Sequence, residues 1–372
     1  MKILNVNSAL DPIAGGGAAE RTLQVSRALV EAGMDCSIMT TTVGFSDENI
    51  PAFAGGRIIA YQCLLKRFYV PLVSYKKIQK EVKSADIVHL MGHWSALNTL
   101  VYLAARQIKK PYVVCPAGAL PIYGRSKVIK KLYNWIIGKS IIRNASAWIA
   151  ITDSERCQFE NYGVPRDSVI IIPNGVNPDD FSVRSPEKFI TKYEFNGEPF
   201  ILFLGRLNTI KGPDMLLEAF YRGRCLWPEW HLVFAGPDGG LLSSLRKSAA
   251  EQSHVHFIGP ISGTEKSAAY HAAQLLVIPS RQEAMSIVVL EAGISGTPVL
   301  LTDQCGFDEV SAIGGGKIVS ATVEGIQAGL TEILVDKMSL IEKGGKLKNL
   351  VQHNYTWTAV IRKYVNLYHR LA

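Results

Sequence analysis

The chain lacks several things that would assign it to a class at once. Its six cysteines, Cys36, Cys63, Cys115, Cys157, Cys225 and Cys305, are far apart and show no C-x-x-C spacing. That argues against a disulfide framework or a thiolate zinc site and favours reduced core residues of a cytoplasmic protein. No apolar run reaches the length of a membrane span, because Lys139 and Arg143 interrupt the best candidate, WIIGKSIIRNASAWIAI. The opening MKILNVNSAL lacks the long apolar segment of a signal peptide and reads as a first strand. The most telling absence is of acidic charge: from Ile87 to Thr152 there is no Asp or Glu.

The same segment carries Arg106, Lys109, Lys110, Arg125, Lys127, Lys130, Lys131, Lys139 and Arg143, within a net charge of +8. Its stretch RSKVIKKLYNWIIGKSIIR has helical periodicity, with Tyr133 and Trp135 among the cations. This pattern suits an anionic membrane surface, and equally an ordinary solvated helix. Nucleic acid is not expected as a partner, because no recognition motif accompanies the charge.

A length of 372 residues predicts two domains, and 48% apolar content is that of an ordinary globular protein. Short apolar runs alternate with helical patterns, the signature of parallel sheets built from βαβ units. The first half offers strands at Ile3–Val6, Cys36–Thr41, Arg57–Tyr61, Ile87–Leu90, Tyr112–Cys115, Trp148–Ile151 and Val169–Ile172. The second offers Phe200–Leu204, His231–Ala235, Val255–Ile258, Leu275–Ile278, Val299–Leu301 and Lys317–Val319. Between them, IIPNGVNPDDF marks a linker, with a boundary near Asn177 to Arg184. The expected division is 1–180 and 181–359, with a last helix over 360–372 returning to the first domain. In this architecture ligands bind at the carboxyl ends of the strands.

Three loops hold the candidate chemistry. After the first strand, Gly15, Gly16 and Gly17 precede a predicted helix from Ala18 to Glu31, an arrangement that lets backbone approach an anion. A dinucleotide fingerprint would need a further glycine where Glu20 stands, and an acid at the end of SIMTTT, so a nicotinamide dehydrogenase is disfavoured. In FLGRLNTIKGPDMLLEAF, Gly205 turns the chain, Arg206 and Lys211 flank the turn, and Gly212–Pro213 opens a helix. Two such cations make a candidate diphosphate clamp, or two solvated loop charges. In IPSRQEAMSIVVLEA, Glu283 falls in a strand-to-helix loop. Ser286 reads as the N-cap, and Glu291 sits one turn inside a helix apolar almost all round. A buried glutamate needs a partner.

The ordered set G-R-L-x-x-x-K-G, P-S-x-x-E-x-x-x-x-x-x-x-E and G-T-P-V, with I-P-N-G-V and the glycine loop, resembles glycosyltransferase family four over nearly the whole chain. The resemblance implies a GT-B fold, two Rossmann-like doubly wound parallel-sheet α/β domains facing a central cleft, and a retaining enzyme using a nucleoside diphosphate sugar. It implies that Arg206 and Lys211 neutralise the donor diphosphate, that Glu291 accepts the ribose hydroxyls and that Glu283 faces the transferred sugar. Backbone amides around Met285, Ser286, Ile287 and Val288 would hold sugar hydroxyls or phosphate. Gly16 and Gly17 would approach from the other domain, and backbone at Ile258, Gly259 and Pro260 would meet the base. No cofactor and no metal is implied, since no D-x-D follows a strand and the two cations can replace a divalent ion.

This chain departs from a subgroup pattern H-x-H-G-x-W-S, with Met91 where the second histidine is common and His93 two residues later. Ala117 likewise replaces an arginine, and no histidine occurs between Pro111 and Ser126. His93 is a candidate for sugar or acceptor binding, or a packing histidine beside Trp94. The expected activity is hexose transfer from a UDP-sugar, preferred over GDP, to a glycan or lipid-linked saccharide in polysaccharide assembly. The expected location is cytoplasmic, peripheral to the inner membrane face. A non-catalytic nucleotide-sugar-binding scaffold and an NAD-dependent oxidoreductase are the alternatives.

Overall fold

The structure is a computed structural model that describes residues 1–45, 53, 55–122, 126–182, 185–195, 197–250 and 253–372. Arg125 of the basic stretch and Arg184 of the linker therefore lie outside the described residues. The chain divides into two compact units, one of residues 1–174 with 357–372, the other of 175–356.

The first unit is a parallel sheet of seven strands: β1 (Lys2–Val6), β2 (Asp35–Thr41), β3 (Arg57–Tyr61), β6 (Ile87–Met91), β7 (Tyr112–Cys115), β8 (Ala147–Ala150) and β9 (Val169–Ile171). Their spatial order is β3-β2-β1-β6-β7-β8-β9. Central strands such as β6 and β7 are buried at every residue, as expected where helices cover both faces. A small antiparallel hairpin, β4 (Cys63–Leu65) with β5 (Val70–Pro71), was not expected from the sequence. Its strands are too short to show a period, and Leu64 and Leu65 are exposed where apolar residues suggest burial.

The helix expected from Ala18 spans Pro12–Glu31, so the glycine triplet lies within it and does not precede it. Gly16 interrupts it at φ 55° and ψ −142°, a conformation that only glycine adopts without strain. The last helix, Trp357–Leu371, packs on this one inside the first unit. Arg21 donates to the Tyr364 hydroxyl, and the Tyr368 hydroxyl lies 2.8 Å from His89 Nδ1.

The second unit is a six-stranded parallel sheet of β10 (Phe200–Leu204), β11 (His231–Ala235), β12 (Val255–Gly259), β13 (Leu275–Ile278), β14 (Val299–Thr302) and β15 (Gly316–Val319). The order is β12-β11-β10-β13-β14-β15. It begins at Gly175, six residues earlier than expected, because the chain is already held there. Val176 N–H donates to Tyr355 O at 2.8 Å, and Phe181 is buried against Tyr270. In both sheets the strand order reverses between two neighbouring strands, β1 and β6 in one, β10 and β13 in the other. Such reversals leave an opening at the carboxyl ends of the strands.

Candidate functional site

At the β10/β13 reversal of the second unit the two predicted loops come together. The loop after β10 is shaped by Asn208, whose side-chain carbonyl accepts the Lys211 N–H at 2.9 Å. Gly212 then takes φ 68°, and a Cβ there would stand 2.1 Å from the Pro279 carbonyl oxygen. Only glycine lets this loop lie against the end of β13. Arg281 ties the loops together, donating to both carboxylate oxygens of Asp214 at 2.8 and 2.6 Å and to Thr209 O at 2.7 Å.

This frame sets Lys211 Nζ 2.7 Å from a carboxylate oxygen of Glu283. The same oxygen accepts from Ser280 Oγ at 2.5 Å, and Glu283 N–H donates to Gln304 O at 2.9 Å. The Glu283 side chain is 8% exposed and Lys211 35%, so the acid is fixed while the ammonium still meets solvent. An ammonium has three donors, and one bond to Glu283 leaves two for another anion.

The helix after this loop is Ile287–Ser295. Ser286 occupies the N-cap position but does not cap, since its side chain bonds no helix amide and its hydroxyl is buried without a partner. The sequence reading of Ser286 as a capping residue is corrected accordingly. Amides at the first turn, Ile287 and Val288, have no intrahelical acceptor by geometry, and a helix N-terminus carries about half a positive charge. The result is a set of donors beside Lys211 and Glu283 suited to an anion or to hydroxyls.

Glu291, one turn further, is buried and doubly held. Lys266 Nζ lies 2.6 Å from one oxygen and the Tyr270 hydroxyl donates to the other at 2.7 Å. Burial, and then the Glu291 charge, push the Tyr270 phenol well above its ordinary pKa, so it stays a donor. The partner that a buried glutamate needs is thus supplied by Lys266 and Tyr270, which the sequence reading missed. Their spacing of i,i+4 on the helix Gly263–Ala272 was the available signal, and nothing in the sequence said which helix would lie beside Glu291. Each carboxylate oxygen accepts more than one hydrogen bond, so Glu291 retains capacity for hydroxyl groups. Arg206 sits at the start of the same loop, against Gly239. Gly205 stands where β10 ends, and Gly259 closes β12 ahead of exposed Pro260.

Two family models match this chain in succession: "Glycosyltransferase Family 4" over residues 15–180 and "Glycosyl transferases group 1" over 185–352. The chain belongs to glycosyltransferase family four. Among its relatives is a phosphatidyl-myo-inositol mannosyltransferase of Mycolicibacterium smegmatis, 25% identical over 95% of this chain and 90% of that one. A D-inositol 3-phosphate glycosyltransferase of Nocardia farcinica is 33% identical, but over 44% of this chain and 39% of its own length. Several curated relatives are likewise matched over about half their length. Solved structures give the fold. Sucrose-phosphate synthase from Thermosynechococcus elongatus superposes with a TM-score of 0.80 at 20% identity, covering 100% and 99% of the two chains. Anabaena HepE in complex with UDP-glucose gives 0.81 at 15% identity over the whole of both. The fold is GT-B.

Within that family fold, the first unit holds the remaining predicted residues. Gly16 and Gly17 stand at the kink of the first helix, after β1. His93 follows β6 and is buried, with Nε2 3.0 Å from Asn134 Oδ1 and its ring packed edge-on against Trp94, Tyr133 and Tyr162. Burial pulls its pKa down to about 4 although the Asn134 bond opposes this, so the ring is neutral at pH 7. This is the environment of the packing alternative beside Trp94. Asn134 is turned inward by a π-helical turn, Asn134–Gly138, which links the helix Lys127–Tyr133 to Lys139–Arg143. Among the described residues no group of three or more His, Cys, Asp or Glu is placed to hold a metal ion.

Proposed function

We propose that the protein transfers a hexose, with retention and without a metal, from a UDP-sugar to a saccharide carried on a lipid phosphate. The observation that carries the donor half is the meeting of Lys211, Glu283 and the uncapped start of Ile287–Ser295 at the β10/β13 reversal. In this reading Arg206 and Lys211 take the diphosphate, and the amides of residues 285–288 take phosphate or sugar hydroxyls. Glu283 meets the sugar, Glu291 the ribose, and the backbone at Gly205 and Gly259–Pro260 the base. As the anomeric bond breaks, negative charge grows on the leaving phosphate, and cations and helix amides already in place stabilise it. The acceptor hydroxyl attacks from the leaving-group face and the phosphate takes its proton, so neither glutamate serves as a nucleophile. A pair of hydrolase carboxylates would be arranged differently, facing one reacting carbon.

UDP is favoured because HepE, a structural neighbour, is known with UDP-glucose. A lipid-linked acceptor is favoured by the basic first unit and by a relative named for phosphatidyl-myo-inositol, aligned over most of the chain. No helix among the described residues is long and apolar enough to cross a membrane, so contact with lipid would be peripheral. Calorimetric titration with UDP, UDP-glucose, GDP and NAD in the presence of EDTA tests the donor half. Binding of UDP and UDP-glucose alone is expected, and a chain that binds none of them, or only NAD, would sink it.

A further inference from the structure

The first unit contains an apolar groove, distant in sequence from every residue assigned above to the donor. One wall is the hairpin β4–β5 with its connecting turn, contributing Phe68 and Val70, and the other is the helix Lys127–Tyr133 with the π-turn after it, contributing Ile129 and Ile137. Trp94 and Leu100 also line it, with Thr99 and Tyr133 among its polar members. Its volume is 530 Å³, inside the range of roughly 300–1,000 Å³ common for small-molecule sites. Two cations belong to the lining. Arg67 donates to Ser126 Oγ at 2.8 Å, which joins the two walls, and Lys130 Nζ lies 5.4 Å from the centre of the Trp94 ring.

The surface beside the groove is apolar as well. Val128 and Leu132 on the helix and Trp135 and Ile136 on the π-helical turn after it all face solvent, Val128 79% and Trp135 81% exposed. On the hairpin Leu64 is 69% exposed. A water-facing helix normally puts polar residues at such positions. Here Lys127, Lys131 and Lys139 are interleaved with the apolar ones, on a stretch without an acidic residue from Ile87 to Thr152. An apolar cavity and an apolar rim, with Arg67 and Lys130 as the charged residues of the lining, are complementary to one kind of molecule.

We infer that this groove binds a hydrocarbon chain of a phosphate-bearing lipid, with the chain against Phe68, Trp94, Leu100 and Ile137 and the phosphate against Arg67 and Lys130. The inference rests on the lipid-linked acceptor proposed above and gives that acceptor a place on this chain. Arg67 keeps guanidinium donors beyond the one used on Ser126, and charge-assisted bonds to phosphate are among the stronger contacts available to it. The apolar stripe beside the groove would rest on the surface of the bilayer from which the chain comes.

Dodecyl phosphate, titrated as monomer into the full chain by calorimetry, is the direct probe. Inorganic phosphate and the neutral dodecyl maltoside serve as controls, and UDP is titrated into the same sample. Dodecyl phosphate is expected to bind, with inorganic phosphate failing to compete at equal concentration. Ile129→Asp, on an exposed wall residue, should weaken it by about tenfold through loss of apolar contact. The double variant R67A/K130A should weaken it by about tenfold or more through loss of charge-assisted bonds. Both variants should keep wild-type UDP affinity, which also shows that they fold. A protein that binds UDP but not dodecyl phosphate overturns the groove and leaves the donor reading standing. Equal binding of dodecyl maltoside, with R67A/K130A unchanged, overturns the phosphate assignment, and indifference to Ile129→Asp overturns the chain assignment. Failure to bind UDP would count against the donor reading, and the dodecyl phosphate titration would still decide the groove.

Discussion

The two units, each with its own apolar core, differ in what they place around it. The first encloses Arg21, His89, His93 and Glu155 and leaves leucines, valine and tryptophan on its hairpin and on the helix after residue 126. Its Glu155 is satisfied by backbone, accepting from the amides of Ile151 at 2.6 Å and Gly118. The second unit keeps an apolar core and brings charge to the strand ends as pairs: Lys211 with Glu283, Lys266 with Glu291, and Arg281 with Asp214. Paired charges at strand ends are positioned to meet a charged ligand. In the first unit the exposed apolar side chains of the hairpin and the helix stand beside cations instead.

The comparison can be broken most sharply at the paired charges. Arg206→Ala or Lys211→Ala should lower UDP affinity by on the order of 1.5–3 kcal/mol, the usual range for a charge-assisted bond, and Lys211→Ala should also lower the unfolding temperature, since buried Glu283 would lose its cation. Unaltered UDP titrations would remove the clamp. Glu291→Gln should weaken UDP and UDP-sugar alike and also lower the unfolding temperature, since Lys266 would be left beside an uncharged partner. If neither ligand is weakened, the ribose role goes, and the residue becomes structural only.

Acid should destabilise both units next. Burial holds His89 at about 3 and His93 at about 4, both in the first unit, and His256 at about 4 in the second. All lie below the ordinary histidine value of about 6.5, so between these limits the unfolded chain binds more protons than the folded one. Their stabilisation is complete above about pH 6.5 and declines as pH falls toward about 4. Calorimetric scans from pH 7 to 4.5 should show unfolding temperatures falling, and His93→Phe should flatten the slope. A curve equally steep in that variant would mean that His93 is not neutral in the fold.

The smallest effect on stability is expected at the exposed apolar stripe. Val128→Ser and Trp135→Ser remove surface groups, and such changes usually stay within about 0.5 kcal/mol. They should nonetheless reduce sedimentation with vesicles rich in phosphatidylglycerol at low salt. Wild-type protein that stays in the supernatant would return the stripe to ordinary surface.

Much of this was legible in the residues. Every strand of the two large sheets stood out as a short apolar run between turn residues, most plainly central strands such as β6 and β7, because a strand buried on both faces has no polar side to show. The hairpin at Cys63–Leu65 escaped, since three residues cannot display a period and its leucines face water. Gly16 was readable as a backbone special but not as a kink within a helix, because a glycine triplet says only that unusual angles are allowed.

By itself the sequence determined the family, the two parallel sheets and the identity of the residues in the loops after β10 and β13, all of which follow from local pattern and ordered motifs. The tertiary structure alone decided the partners. It gave Glu291 to Lys266 and Tyr270, gave Lys211 to Glu283, enclosed His93 among aromatic rings and opened a groove between a hairpin and a helix some sixty residues apart. The physical reason is that hydrogen bonds and ion pairs act over a few ångströms between groups far apart in the chain. Periodicity shows which face of an element is buried, and only the packed fold shows what lies against it.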